Sequence, residues 1–279
     1  MGKNYYYLIA GLPDISMDDT KPACPTEVFR TEYRPELTPD DRALVDLIWL
    51  EQDNRNLLSL LTNKDAEPET EGLFTADELR EVIRMTREDE KWNNRFPVYF
   101  RGFIKAYDDE TAESILPVDL LSSYYYKYCT EADNAFVSRW FSFNLDMNNI
   151  LSALTARKHR LAVASVVIGE GEVAEALRTS GSRDFGLGGS FERFERIQQI
   201  HKTDNLVERE HRIDAARWDW LDDESFFDYF GIEKLFGFVV KNRIVERWAK
   251  LNKEAGGEVL RSMIARMKEV NVPAEFKVK

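Results

Sequence analysis

The chain has 279 residues, long enough to bury a sizeable core as one large domain or two small ones. Apolar residues make up 43% and charged residues 32%, the profile of a globular protein. Acids outnumber bases 50 to 38, a formal charge of −12, which weighs against a nucleic-acid binder needing a basic face and suits a basic protein partner.

The N-terminus, Tyr5-Tyr-Tyr-Leu-Ile-Ala10, is apolar but short and ends at Gly11-Leu-Pro13; it does not read as a signal peptide. Residues 12–38 carry four prolines and scattered acids and read as an ordered loop or arm. Thr38-Pro39-Asp40-Asp41 opens the first strong helix. Threonine can cap, proline suits the first helical position, and an acid stands three residues after the cap. Its apolar face, Leu44, Leu47, Ile48, Trp49, Leu57, Leu58 and Leu61, carries the helix to about Thr62. Residues 63–72 read as a linker. Thr75-Ala-Asp-Glu78 is a capping box for a helix towards Arg87, with Phe74 and Leu79 as a hydrophobic staple.

A further helix is expected from Trp92 to about Tyr107, and another from Pro117 to Cys129. Asp133 is placed to cap a long helix to about Arg157. Leu161–Ile168, rich in β-branched residues, fits a strand or a buried helix equally well. Residues 169–189 hold six glycines and one short helix. Ser190 is expected to start a helix to His201, and Asp204 to cap another through Trp220. A long aromatic helix follows Asp222-Asp-Glu-Ser225 to about Asn252, and a last one follows Gly256-Gly257 to about Val270. The sum is all-α: roughly ten helices and at most one minor strand. No apolar run approaches the about 20 residues of a membrane helix.

Two stretches match without a gap: Asp53-Asn-Arg-Asn56-Leu-Leu-Ser-Leu-Leu-Thr62 and Asp146-Met-Asn-Asn149-Ile-Leu-Ser-Ala-Leu-Thr155. Asn56, Asn149 and Asn242 are spaced by equal steps of 93 residues. In the third copy Val239 stands where Asp53 and Asp146 stand. An evenly spaced self-match implies three related helical units, about 20–112, 113–205 and 206–279, within one helical domain behind an arm at 1–19. On a helix the Asp and the Asn share a face beside the apolar stripe, where an amide needs hydrogen-bond partners. Asp53, Asn56, Asp146, Asn149 and Asn242 are therefore expected to fix a neighbouring helix or loop backbone.

Motifs for chemistry are sparse. His159, His201 and His211 lack metal spacing, and Cys24 and Cys129 form neither a ligand pair nor a disulfide framework. Gly186-Leu-Gly-Gly189 lacks the Gly-Lys-Ser/Thr ending of a phosphate loop. Asp108-Asp-Glu110 and Asp222-Asp-Glu224 read as solvated acidic runs. Tyr124-Tyr-Tyr-Lys-Tyr128 and Trp218-Asp-Trp220 read as inter-helix seams, since stacking on nucleic acid would need a basic groove. The expectation is no catalytic group, no cofactor and no metal.

The Asp-x-x-Asn-apolar-apolar segments at Asp53–Leu58 and Asp146–Leu151 resemble the second helix of the C-type subunit of archaeal and bacterial V-type ATPases, called d in the eukaryotic enzyme. Phe236-Gly-Phe-Val-Val-Lys241-Asn242-Arg-Ile resembles a reduced form of that family's last apolar helix. Gly188-Gly-Ser-Phe and Gly256-Gly-Glu-Val resemble its Gly-Gly turns. The likeness is closest to a divergent bacterial group of unknown function that accompanies V-type ATPases. It implies a funnel-like, non-catalytic rotor socket joining the central stalk to the membrane ring. Such a part is cytoplasmic and held at the inner face of the membrane through the complex, with no direct insertion. The other readings are a helical adaptor unrelated to ATPases and a helical hydrolase whose acids hold a metal.

Overall fold

A computed structural model describes residues 4–68, 72–109, 115–251 and 263. Among them the fold is all-helical and no strand occurs. Twelve α-helices follow in chain order: α1 (Tyr6–Ala10), α2 (Thr26–Val28), α3 (Pro39–Asp46), α4 (Leu50–Thr62), α5 (Ala76–Arg87), α6 (Val98–Asp108), α7 (Pro117–Thr130), α8 (Ala135–Lys158), α9 (Glu172–Thr179), α10 (Phe194–His201), α11 (Leu206–Glu224) and α12 (Ile232–Lys250). None is long and apolar enough to cross a membrane. The expected last helix, to Val270, lies outside the described residues.

Several boundaries differ from the sequence reading, each for a local reason. Residues 26–36 are helical in short pieces, α2 followed by a π turn (Phe29–Tyr33) and a 3-10 turn (Arg34–Glu36), where the prolines suggest a loop. The helix capped by Thr38 breaks into α3 and α4 at a turn over 47–49. α6 starts at Val98, with Pro97 as its N-cap in a non-helical conformation (φ −58°, ψ 128°). The cap of α8 is Asn134, whose Oδ1 accepts from Val137 N at 3.0 Å; Asp133 stands one residue too early. Asn205 likewise caps α11 in place of Asp204, accepting from Glu208 N at 3.0 Å. Residues 161–168 are neither strand nor buried helix but an irregular loop with a 3-10 turn at Val163–Ser165. The Thr75–Glu78 capping box forms in both directions.

The chain divides into two compact units. One comprises residues 44–149 and 156–187. In it α5 packs on α4 and α6, α6 on α7, and α7 returns to α4. Leu57, Leu79, Phe100, Phe103, Ile104 and Met147 lie fully buried there. Aromatic edges tie the helices: Tyr125 meets Phe141 of α8 at 5.7 Å, and Tyr99 meets Tyr128 at 5.2 Å. The Tyr125 hydroxyl donates to Leu47 O at 3.0 Å. Burial pushes the Tyr99, Tyr125 and Cys129 acids well above their usual range, so the two phenols stay protonated donors and the thiol stays inert. A Cβ at Gly102 would stand 2.8 Å from the Tyr124 ring, so glycine is what lets α6 and α7 approach there.

The other unit comprises residues 1–43, 150–155 and 188–279. Its described core is α12, packed against α11 and α2, with α10 on α11. Phe29 and Phe236 are fully buried, and Phe29 meets Phe238 at 6.5 Å. Asp214 is its polar hub. Only 1% exposed, it takes hydrogen bonds from Arg217, from Arg247 and, at 2.8 Å, from Trp248 Nε1.

Candidate functional site

Each repeated Asn sits on a long helix, is buried, and lies near a loop that leads into another helix. On α8, Asn149 is 2% exposed. Its Nδ2 donates to Ile168 O at 2.9 Å and its Oδ1 accepts from Ile168 N at 3.0 Å. One amide thus satisfies both backbone groups of Ile168, the residue before Gly169, whose φ of +71° turns the chain towards α9. Arg178 of α9 closes the same loop by donating to Val167 O and Gly169 O at 2.9 and 2.7 Å.

On α4 the Asp of the motif carries this role. Asp53 is wholly buried, and its two oxygens accept from Leu73 N at 2.9 Å and Phe74 N at 3.1 Å, just before the Thr75 cap of α5. Asn56, 3% exposed, accepts from Gln52 Nε2 at 3.1 Å. A Cβ at Gly72 would run into the Asp53 carboxylate and stand 3.2 Å from Asn56 Nδ2, so the loop backbone lies directly on both side chains.

On α12, Asn242 is 2% exposed and donates through Nδ2 to Cys24 O, in the loop before α2. Among the described residues its Oδ1 has no partner. Thr26 of α2 adds a hydrogen bond to Glu246 at 2.5 Å. Val239, where the acid would stand, is core, 3% exposed.

Asp146 breaks the pattern. It is only partly buried, no hydrogen bond or ion pair reaches it among the described residues, and desolvation alone pushes its acid up to about 6. The two motif acids are therefore opposite in character: Asp53 is a saturated acceptor, Asp146 an acid that its surroundings disfavour as an anion.

The arrangement is suited to holding loops. With both oxygens engaged and no exposed atom, Asp53 has neither a free lone pair aimed at solvent nor a route to a substrate. The acidic run at Asp222–Glu224 is tied to basic side chains, Asp222 to Lys241 and Asp223 to Arg193. Among the described residues no group of three or more potential ligands could hold a metal ion. His211 is exposed on α11 and meets Trp248 edge-on at 5.3 Å. Trp218 lies under Lys241, and Trp220 is buried.

Three polar residues escape the sequence reading. Gln52 and Asn54 flank Asp53 on α4, and Asn54 accepts from the Tyr99 hydroxyl at 2.7 Å. Their adjacency to the repeat is the available signal. Asp214 has only an Arg at i+3, a spacing that the exposed pair Asp77 and Arg80 also shows.

These features define an all-helical protein whose buried helix amides and carboxylates hold the loops between helices. The chain belongs to the family described as protein of unknown function (DUF2764), which it matches over residues 1–270. No curated protein and no solved structure matches it.

Proposed function

We propose that this chain is a non-catalytic rotor component of a V-type ATPase, a socket joining the central stalk to the ion-carrying membrane ring. The observation that carries the reading is the recurrence of one device on α4, α8 and α12, an Asp or Asn holding the backbone of a helix-leading loop. It joins the resemblance of those same segments to the C-type subunit of these enzymes. The three pseudo-repeated units belong to this reading. A part that transmits torque needs loops that do not yield, because a soft joint loses angular displacement as local strain. Close-packed helices with saturated polar contacts resist such yielding. The acidic surplus would orient the chain towards basic stalk or ring surfaces, setting register and on-rate more than affinity. The chain would then sit in the cytoplasm, against the membrane only through the complex.

The test is coupling. In inverted membrane vesicles from a host lacking this chain, ATP hydrolysis by the V-type enzyme should no longer drive ion uptake. Adding the chain back should restore uptake. Undiminished uptake without it would refute the proposal. A second reading, a helical adaptor unrelated to ATPases, is favoured by one observation, the run of exposed aromatic residues between α11 and α12. An adaptor would leave vesicle coupling unchanged.

A further inference from the structure

The arm at the start of the chain is held mainly at its two ends. Tyr5, 4% exposed, is the first anchor. Its N donates to Phe230 O at 2.8 Å. Its hydroxyl sits at the cap of α3, donating to Asp41 Oδ2 and accepting from Thr38 N at 3.1 Å. Cys24, 3% exposed, is the second anchor, with its carbonyl held by Asn242. Both anchors belong to one compact unit. No residue between them, from Tyr6 to Ala23, is buried.

The sequence of this stretch accounts for its loose seating. Pro13 and Pro22 bring no amide donor, and α1 has no buried face. The hydrogen bonds that do form turn inward. Ile9 N donates to Tyr5 O at 2.9 Å and Gly11 N to Tyr7 O at 3.1 Å. Ser16 N donates to Asp19 Oδ2 at 2.8 Å and Asp19 N to Ser16 O at 3.1 Å. Among the described residues, 6–23 make no hydrogen bond or ion pair with any residue after Ala23. The Tyr6 ring, 4.4 Å from Phe230, is their one ring contact with the body. Few buried contacts and no hydrogen bonds to the body place a segment at the low-stability end of a fold, where it opens locally.

We propose that residues 6–23 are a strap that opens as a unit when the Tyr5 latch lets go, pivoting at Cys24 while the helices of the body stay folded. The bonds inside α1 and inside the Ser16–Asp19 turn travel with the strap, so opening breaks little beyond what Tyr5 and the Tyr6 ring supply. α3 keeps its own cap, because Thr38 Oγ1 accepts from Asp41 N at 3.2 Å without Tyr5. The latch also fastens the loop before α12. Tyr5 N and the Tyr6 ring both hold Phe230, so an open strap frees that carbonyl and that ring together. Closed and open forms therefore differ in access to the α3 cap and to the end of this loop. A ligand that prefers the open form shifts the balance by its differential affinity. The device stands on contacts within one unit and does not depend on the rotor reading.

The test is native-state proteolysis of the full chain with an endoprotease that cuts before aspartate. Cleavage at Asp14, Asp18 and Asp19 is followed by mass spectrometry. When opening is fast relative to cutting, the rate tracks the open population. Tyr5→Phe keeps the buried ring and removes the hydroxyl. It should speed cutting about tenfold, the population change that losing one hydrogen bond to a charged acceptor brings. Asp41→Asn weakens the same contact from the α3 side and should act in the same direction. Tyr7→Phe, at a side chain that is 97% exposed, should change nothing. In the wild type the rate should rise with urea far less steeply than global unfolding does, since a strap exposes little surface. A rate unmoved by Tyr5→Phe, one raised equally by Tyr7→Phe, or one that follows the urea slope of global unfolding would each overturn the proposal.

Discussion

Replacing Asn149 with leucine tests the loop-holding role at its clearest point. Leucine has the same number and branching of heavy atoms, so the packing around α8 changes little. What is lost is the pair of hydrogen bonds to Ile168 O and N, at 2.9 and 3.0 Å. Each backbone group left without its partner costs about 1–3 kcal/mol when water cannot replace it. Ile168 is only partly buried, so some hydration returns. The expected loss is about 2–4 kcal/mol, read as a lower urea midpoint at unchanged slope. Asn149→Asp is the internal control. It keeps the acceptor for Ile168 N but sets a carboxylate oxygen against Ile168 O, and should cost at least as much above pH 6. Asn242→Leu removes a single bond together with an Oδ1 that has no partner among the described residues, so its cost should be smaller, about 1 kcal/mol. A midpoint for Asn149→Leu indistinguishable from wild type, or a larger loss at Asn242 than at Asn149, would refute the reasoning.

The two motif acids should behave oppositely. Asp146 titrates near 6 when folded, above the about 3.9 of a free aspartate, so the folded state holds its proton more tightly than the unfolded state. Stability on this account falls as pH rises from about 4 to about 6 and stays lower above, so Asp146→Asn should melt higher than wild type at pH 7.5. After discounting for partial exposure the gain is about 1–2 kcal/mol, vanishing near pH 4, and a variant that melts lower at pH 7.5 would contradict it. Asp53→Asn should instead destabilise by about 2–3 kcal/mol, because an amide hydrogen would face Leu73 N or Phe74 N. Gly72→Ala should lower the melting temperature by displacing the Asp53 carboxylate; unchanged melting would show that the loop does not rest on Asp53. Asp214→Ala should cost about 3 kcal/mol, the lower end for a broken buried pair because Arg217 and Arg247 keep contact with water. Calorimetry showing less than about 1 kcal/mol would mean that the hub is not a stability element.

Helix identity is readable because caps and apolar stripes are local. The Thr75 box, Pro117 at the first turn of α7 and the stripe of α4 all act within a few residues of themselves. The sequence misplaces capping residues by one where acid and amide stand side by side, at Asp133-Asn134 and Asp204-Asn205, because both types cap and only the helix geometry chooses. The break at 225–231 is not legible. Phe226, Phe227 and Tyr229 continue an apolar pattern in the sequence, and only the folded chain shows that they lie exposed. The motif residues stand out because they repeat. That Asp53 is saturated while Asp146 is not depends on where the loops at 72–74 and 167–169 run, and no pattern within α4 or α8 encodes that.

The measurement that bears most directly on the central proposal is affinity purification of the tagged chain from its native host, with identification of the proteins that come with it. The rotor reading predicts V-type ATPase stalk and ring proteins in reproducible ratio to the chain. Their consistent absence, with another partner in their place, would contradict it and leave the adaptor.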